Sequence, residues 1–372
     1  SARLAEDSAG VSREFGNGVM AITDRGYDSR EGWTNLIPNP LGNGAVVGIV
    51  GSGGALPTGW AGSSVAGTGL TTQIVGVSAV NGLPVIRFRV SGTSNGVFYE
   101  LNVQPLGSSA PAILPNTAYN ASIYADVVSG TFPTNGGVEL TQRRADQTSA
   151  VAVAVAGGAT LNATPVLTRF NGNFTSAADA AFGRIRVAMN PANGQAVDVT
   201  FDLAAPQITQ TAYLMPFGVG TIAPDALFIP ASAAGLAVNP SVTGLTMVWR
   251  GIDYQSAAPF VHFVDIRADG NNRFTLFRRL SDGGVGSTVG SNGPTSGPGL
   301  GTLAQLPRGA EFTMVATWRP DGAVWVKAGS VSPGRITRPM MVGTPSGVGI
   351  ACNGVNGQDR NNSQTRMAAF GA

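Results

Sequence analysis

Along most of the chain apolar and polar residues alternate one for one, the period of a strand with one buried and one wet face. In the first half this predicts strands in V-I-R-F-R-V from Val85, V-F-Y-E-L-N-V from Val97, Y-N-A-S-I-Y-A-D-V-V from Tyr119 and G-V-E-L-T-Q from Gly137. It predicts further strands in A-V-A-V-A-V from Ala150, R-I-R-V-A-M from Arg184, V-D-V-T-F-D-L from Val197 and I-T-Q-T-A-Y-L from Ile208. Turn-rich connections between so many short strands predict a sandwich of jelly-roll type. The second half repeats the pattern in L-T-M-V-W-R-G from Leu245, F-V-H-F-V-D-I-R from Phe260, R-F-T-L-F-R-R-L from Arg273, F-T-M-V-A-T-W from Phe312 and A-V-W-V-K from Ala323. V-G-I-A-C from Val348 and T-R-M-A-A-F from Thr365 then close it. Asp321-Gly322 between alternating runs reads as a hairpin turn, and the Gly, Ser, Pro and Thr stretch from Gly283 to Gly301 reads as a long exposed loop.

The halves meet at Ala212 to Ser232, where Pro216, Pro224 and Pro230 forbid a continuous helix or a central strand. The same stretch carries Tyr213, Leu214, Met215, Phe217, Ile222, Leu227, Phe228 and Ile229, at about 1.5–3 kcal/mol each if left in water, so it reads as a packed joint. Ahead of the first sandwich, residues 1–34 are the most charged part of the chain and read as a docking arm. Leu4, Val11 and Phe15 there fall on one side of a short helix limited by Gly10 and Gly16. The fold expected is thus all-β: two tandem β-sandwich (jelly-roll) domains at 35–211 and 233–372, a connector at 212–232 and a short N-terminal arm.

Composition agrees. Within 372 residues, 52 glycines, 23 prolines and 12% charge fit many tight turns and disfavour a helical protein. The net charge of +2 comes from arginines scattered singly or in pairs, which excludes a nucleic-acid footprint. The lone Cys352 precludes an internal disulfide and reads as a small buried residue. No leader pattern opens the chain and no run approaches about 18 apolar residues, so neither secretion by the usual signal nor membrane insertion is expected. A mean hydropathy of +0.13 predicts apolar surface covered by partners.

The opening N-L-I-P-N-P, a nearby G-W, the central Y-N-A-S-I-Y-A-D-V-V-S-G and the closing A-Y-L-M-P-F-G and A-L-F-I-P-A-S resemble the carbohydrate-binding-module-like domain of phage tail and other virion surface proteins, over roughly residues 35–232. Where that family often has an acid in its closing motif, this chain has Leu214, Met215 and Pro216. The second half, with Thr317, Trp318, Pro320, Asp321 and Gly322 in V-A-T-W-R-P-D-G-A-V-W-V, resembles the concanavalin-A-like, laminin-G-like sandwich. These resemblances imply a non-enzymatic structural protein of a tailed phage or phage-like particle. It would be made in the host cytoplasm, sit on the virion beside other virion proteins, and mediate host-surface glycan recognition. The alternatives they leave are a capsid decoration, cement or tail component contacting only virion proteins, and a polysaccharide depolymerase. A homotrimer is expected by analogy with adhesion proteins.

The residues allow little catalysis. His262 is the only histidine, so an acyl-transfer relay has a single candidate base, and a regular strand places it on one face with Phe260 and Val264. Zinc is not expected with one His and one Cys, and no cofactor is implied. Asp253, Asp265, Asp269, Asp282 and Glu311 are the candidate carboxylates of the second half for a two-carboxylate glycosidase site, without the E-x-D-x-E strand motif of concanavalin-like glycosidases. Asp265, Asp269 and Asn271 around Gly270 are the candidate calcium ligands, although a solvated turn with local caps explains the same residues. Glycan binding needs an aromatic platform with polar neighbours. Trp60, Tyr99 and Tyr254 are the candidates; Trp249 is also available, while Trp318 and Trp325 lie in strands and read as core.

Overall fold

The computed structural model describes residues 33–62, 67–212, 214–215 and 217–222, and before them the strands at 3–6, 12–15, 22–23 and 26–29. In the second half it describes 227–230, 244–253, 260–268, 272–279, 284–290, 303–305, 311–329, 334–337, 347–350 and 363–371. The chain forms two compact units, one built on Trp33–Ile222 and one on Ala223–Ala372, each with short pieces from the N-terminal region. The described residues are strands and turns almost throughout, the all-β class that alternation predicts.

In the first unit a seven-stranded sheet runs in the spatial order Thr168–Thr175, Ala118–Gly130, Ala196–Thr209, Leu83–Thr93, Leu70–Val80, Gly48–Val50, Gly53–Gly54. A five-stranded sheet runs Ser149–Gly157, Gly137–Arg143, Phe182–Met189, Tyr99–Asn102, Ala61–Gly62. Sequence-distant strands lie side by side in both, as in a jelly roll. The inward parities of the two sheets make one core in which Phe88 stacks between Trp60 and Phe201, at 6.2 and 5.8 Å between ring centres. Gly130 ends its strand at φ +78°, where a Cβ would lie 2.1 Å from the Asp198 carbonyl oxygen, so no larger residue fits there.

Two expectations change in this unit. Ile208 does not begin a new strand, because Ala196–Thr209 is one continuous strand. Its register against Ala118–Gly130 shifts twice, once between Val127 and Ser129 and once where Ala205 adopts φ +49° ahead of Pro206. Leu70–Val80 and Thr168–Thr175 are additional strands whose Gly, Thr and Asn content hides their alternation.

The connector does not act as a separate joint. Its first part folds back on the larger sheet, where Phe217 packs with Leu83, Val85, Ala204 and Ala205, and Met215 with Trp33. Leu214 is exposed, contrary to expectation. Its second part, Leu227–Pro230, is an edge strand of the second unit, the position where a strand tolerates Pro230. Proline denies the 214–220 stretch a ladder of its own, so sheet side chains satisfy its backbone. Gln207 accepts from the Gly218 N–H (3.0 Å) and donates to the Met215 carbonyl (3.1 Å), and Arg169 donates to that same carbonyl (2.7 Å). Asn35 donates to the carbonyls of Pro206 (3.1 Å) and Gly218 (2.9 Å) and accepts from the N–H groups of Ile37 (3.1 Å) and Ile208 (3.2 Å).

The second unit pairs a six-stranded sheet with a seven-stranded one. Trp249 stacks on Phe263 at 4.2 Å, and Phe274 meets Trp318 edge-on at 5.6 Å. The 319–322 turn closes a hairpin between Glu311–Trp318 and Ala323–Ala328, with Gly322 at φ +84° and Asp321 capping the Ala323 N–H. The expected arm is corrected here. Gly26–Ser29 pairs with Ser363–Gly371 inside the seven-stranded sheet, and Arg3–Glu6 pairs with Ser12–Phe15 where a helix was expected. Gly10 and Gly16 make a helix nucleus costly there, whereas a two-stranded ribbon tolerates both. Part of the expected 283–301 loop is also a strand, Gly284–Gly290, paired with Arg273–Arg279.

Replacing Asn35 by Ala orphans four buried backbone groups at once. We expect a loss of about 3 kcal/mol of first-unit stability, read as a lower urea midpoint at unchanged slope; an unchanged midpoint would show that the amide does not hold this crossing.

Candidate functional site

The outer face of the five-stranded sheet is polar where a sandwich exterior needs only to be wet. Leu101 and Val103, Val138 and Leu140, and Ile185 and Val187 point into the core. Their alternates, Glu100, Asn102 and Gln104, Glu139, Thr141 and Arg143, and Arg184 and Arg186, therefore point out. The ladder places Asn102 opposite Arg186 and Arg186 opposite Glu139, with Thr141 opposite Arg184 one step along. On the far side of Glu139 and Thr141 lie the exposed, small Ala154 and Ala152.

Hydrogen bonds run through this face in one direction. The Ile185 N–H donates to Gln104 Oε1 (2.9 Å), Gln104 Nε2 to Asn102 Oδ1 (3.4 Å), and Asn102 Nδ2 to Glu100 Oε1 (2.8 Å). Arg186 donates to Glu100 Oε2 at 2.8 Å and to Glu139 Oε2 at 2.8 and 3.0 Å. Its guanidinium lies 4.8 Å from the centre of the Phe98 ring, a cation–π contact. Glu100 and Arg186 are largely buried at 7% and 13% side-chain exposure, while Glu139 keeps 27%.

Burial pushes the Glu100 carboxyl up, but the Asn102 hydrogen bond and then Arg186 outweigh it and hold the group below the usual carboxylate range. Glu100 is thus ionised at neutral pH and cannot serve as the general acid a two-carboxylate glycosidase requires. The face offers fixed acceptors, fixed donors and one ring edge. That is equipment for holding hydroxyl groups.

The residues singled out from sequence lie elsewhere. Trp60 is buried beside Phe88 and donates from Nε1 to the Asn39 carbonyl (3.1 Å). Tyr99 is fully buried, bonded to Thr72 Oγ1 at 2.9 Å, with its phenol pushed up to about 12 by burial. A ring enclosed in a core has no face for a sugar, so both are corrected to core residues. Tyr254 lies outside the described residues. Asp265 is corrected as a calcium candidate: it is fully buried, its Oδ2 holds Arg267 at 2.8 Å, and Thr275 donates to Oδ1, so its charge is already neutralised. Asp269, Asn271 and Cys352 lie outside the described residues. His262 is buried, and a bulge between His262 and Val264 puts it on the face opposite Val264. Trp318 is core as expected, but Trp325 is 36% exposed.

A second acidic pair sits on the outer face of the larger sheet. Asp202 lies between Arg87 and Asp126 in the ladder and takes both Arg87 bonds at 2.8 Å. Asp126 Oδ1 is left without a partner in a buried setting. Burial, and then the charge of Asp202, push Asp126 up to about 6. This pair has one cation for two acids and costs stability at neutral pH.

No protein-family model matches this chain, and no curated protein matches it. Among solved structures, the N-terminal CBM22-1-CBM22-2 tandem domain of Paenibacillus barcinonensis Xyn10C is similar at 10% identity and TM-score 0.29, covering 93% of this chain and 99% of that one. Domains LG4-5 of the mouse laminin alpha1 chain are similar at 10% identity and TM-score 0.26, covering 80% and 89%. The tripod (BppUct-A-L) from the baseplate of bacteriophage Tuc2009 is similar at 9% identity and TM-score 0.28, covering 83% and 97%. At TM-scores this low none of them carries a functional inference.

The folded-state value of Asp126 lies above its ordinary 3.8, so the protonated form is the one folding favours. Stability contributed here is present below pH 3.8 and is lost as pH rises through about 6. We expect Asp126→Asn to raise the melting temperature at pH 7.5, recovering at most about 3 kcal/mol, and to show no gain at pH 3.5; an equal gain at both pH values would refute the titration.

Proposed function

We propose that this chain is a non-enzymatic structural protein on the surface of a tailed phage or phage-like particle, and that it recognises host-surface glycan through the polar face of its five-stranded sheet. The observation carrying the reading is the Arg186 network, which fixes the guanidinium and the Glu139 carboxylate before any ligand arrives, with Glu100 and the buried amides of Asn102 and Gln104 holding them from beneath. Sugar hydroxyls donate and accept at once. Glu139 offers acceptor capacity at the surface, the Arg186 edge offers N–H groups, and Phe98 offers apolar area beside them. Preorganisation of this kind removes part of the ordering cost of binding. The motifs at residues 35–40 and 226–232, with their resemblance to virion surface domains, support the placement on a particle.

A shallow face of this size binds weakly by itself. Repetition on one particle, as a homotrimer and in many copies, turns a weak site into firm adhesion through effective concentration. Other virion proteins are then its standing partners. A second reading, a cement protein contacting only those partners, is favoured by exposed Val46, Val47 and Ile49 and by Val77 on the adjoining Leu70–Val80 strand. These residues put apolar surface at a sheet edge without charged protection.

Beads carrying many copies of the purified chain should capture host-envelope polysaccharide and compete with particle adsorption. Glu139→Gln should weaken capture about tenfold, the scale of one lost charged hydrogen bond, with the circular-dichroism spectrum unchanged. Absence of binding to every envelope fraction would sink the adhesion role. Particles lacking the chain that lose integrity but still adsorb would favour the cement reading.

A further inference from the structure

The Arg186 half of the polar face carries two carboxylates to one guanidinium, whereas the other half carries guanidinium groups alone. Arg143 and Arg184 project from neighbouring strands on the same face, and among the described residues neither forms an ion pair. Both lean on Gln147: Arg143 Nη1 donates to its main-chain carbonyl at 3.4 Å, and Arg184 Nη2 donates to its side-chain Oε1. The Nε of each guanidinium is buried without an acceptor, and so is the hydroxyl of Thr141, which stands directly opposite Arg184 in the ladder. Acids of the adjoining turn are committed elsewhere, since Asp179 pairs with Arg144 and Asp146 accepts from both the N–H and the O–H of Thr148.

Polar groups enclosed without partners are costly and uncommon, and here three with hydrogen to donate lie within one ladder step of each other. Burial, and then the like charge of Arg143, work against the charged form of Arg184. An anion beside Arg143 separates the like charges and compensates the buried one. Planar guanidinium groups suit carboxylate and phosphate oxygens in particular. Arg143 is half-buried and remains reachable, whereas Arg184 is 6% exposed and lies behind it.

We propose that the Arg143–Arg184 end of this face is an anion subsite that selects acidic glycans, with Arg143 as the contact residue and Arg184 and Thr141 as the groups behind it. The anionic group is a carboxylate or a phosphate carried on the saccharide. This inference rests on the glycan reading above.

The test uses the full chain and three probes: an oligogalacturonate, its carboxyl-reduced neutral counterpart, and a poly(glycerol phosphate) chain. At least one anionic probe is expected to bind at least about tenfold more tightly than the neutral one, with affinity falling as salt rises. Binding of the oligogalacturonate alone identifies a carboxylate, and binding of the poly(glycerol phosphate) alone identifies a phosphate. Arg143→Gln should abolish the preference, and Arg143→Lys should retain most of it. Equal binding of the neutral and anionic probes overturns the anion subsite and leaves the glycan reading standing. A preference that survives Arg143→Gln in a normally folded variant also overturns it. Failure of all three probes, together with failure to capture any host-envelope fraction, overturns both.

Discussion

One buried amide sets the terms for the first sandwich. Asn35 stands where the chain enters the unit, and its side chain bonds Pro206 and Ile208 in the longest strand and Gly218 in the segment leaving it. Its own backbone N–H reaches the Gly220 carbonyl, and the next N–H, of Leu36, reaches the Ile208 carbonyl. Entry and exit are thereby fixed to the same stretch of sheet. The irregularity of that stretch follows from the same demand. Ala205 accepts a left-handed backbone, costing on the order of 1 kcal/mol, where one extra residue enters the strand and Gln207 reaches the returning segment.

The smaller sheet resolves a different tension. Its outer face carries charges that burial alone would make unfavourable, yet Glu100, Arg186 and Glu139 share one compact network with every Glu100 oxygen bonded. Such a network seldom adds net stability over an apolar replacement. Its cost is consistent with a role outside folding, as is the contrast between its satisfied half and its unsatisfied Arg143–Arg184 half.

The second unit shows how far local irregularity redirects chemistry. A single bulge at Phe263 places that ring against Trp249 and turns His262 away from the face shared by Val264 and Ile266. Asp265 is then taken by Arg267 and Thr275 within the same sheet. The only histidine and the most conspicuous acid of that half therefore serve packing and ion pairing.

Alternation determined a great deal by itself. It located most of the longer strands, the hairpin at Asp321-Gly322 and the all-β class, because burying one face of a pleated sheet demands a period of two. It even held the parity that separates Tyr99, in step with Leu101 and Val103, from Phe98 and Glu100 on the polar face. What it did not hold was strand order. Arg186 meets Glu100 across 86 residues of chain and Glu139 across 47, and Gly26–Ser29 joins a sheet completed by Ser363–Gly371. Those meetings depend on which strands become neighbours, a choice made by the packing of two whole sheets about a common core and carried by no local pattern in the sequence.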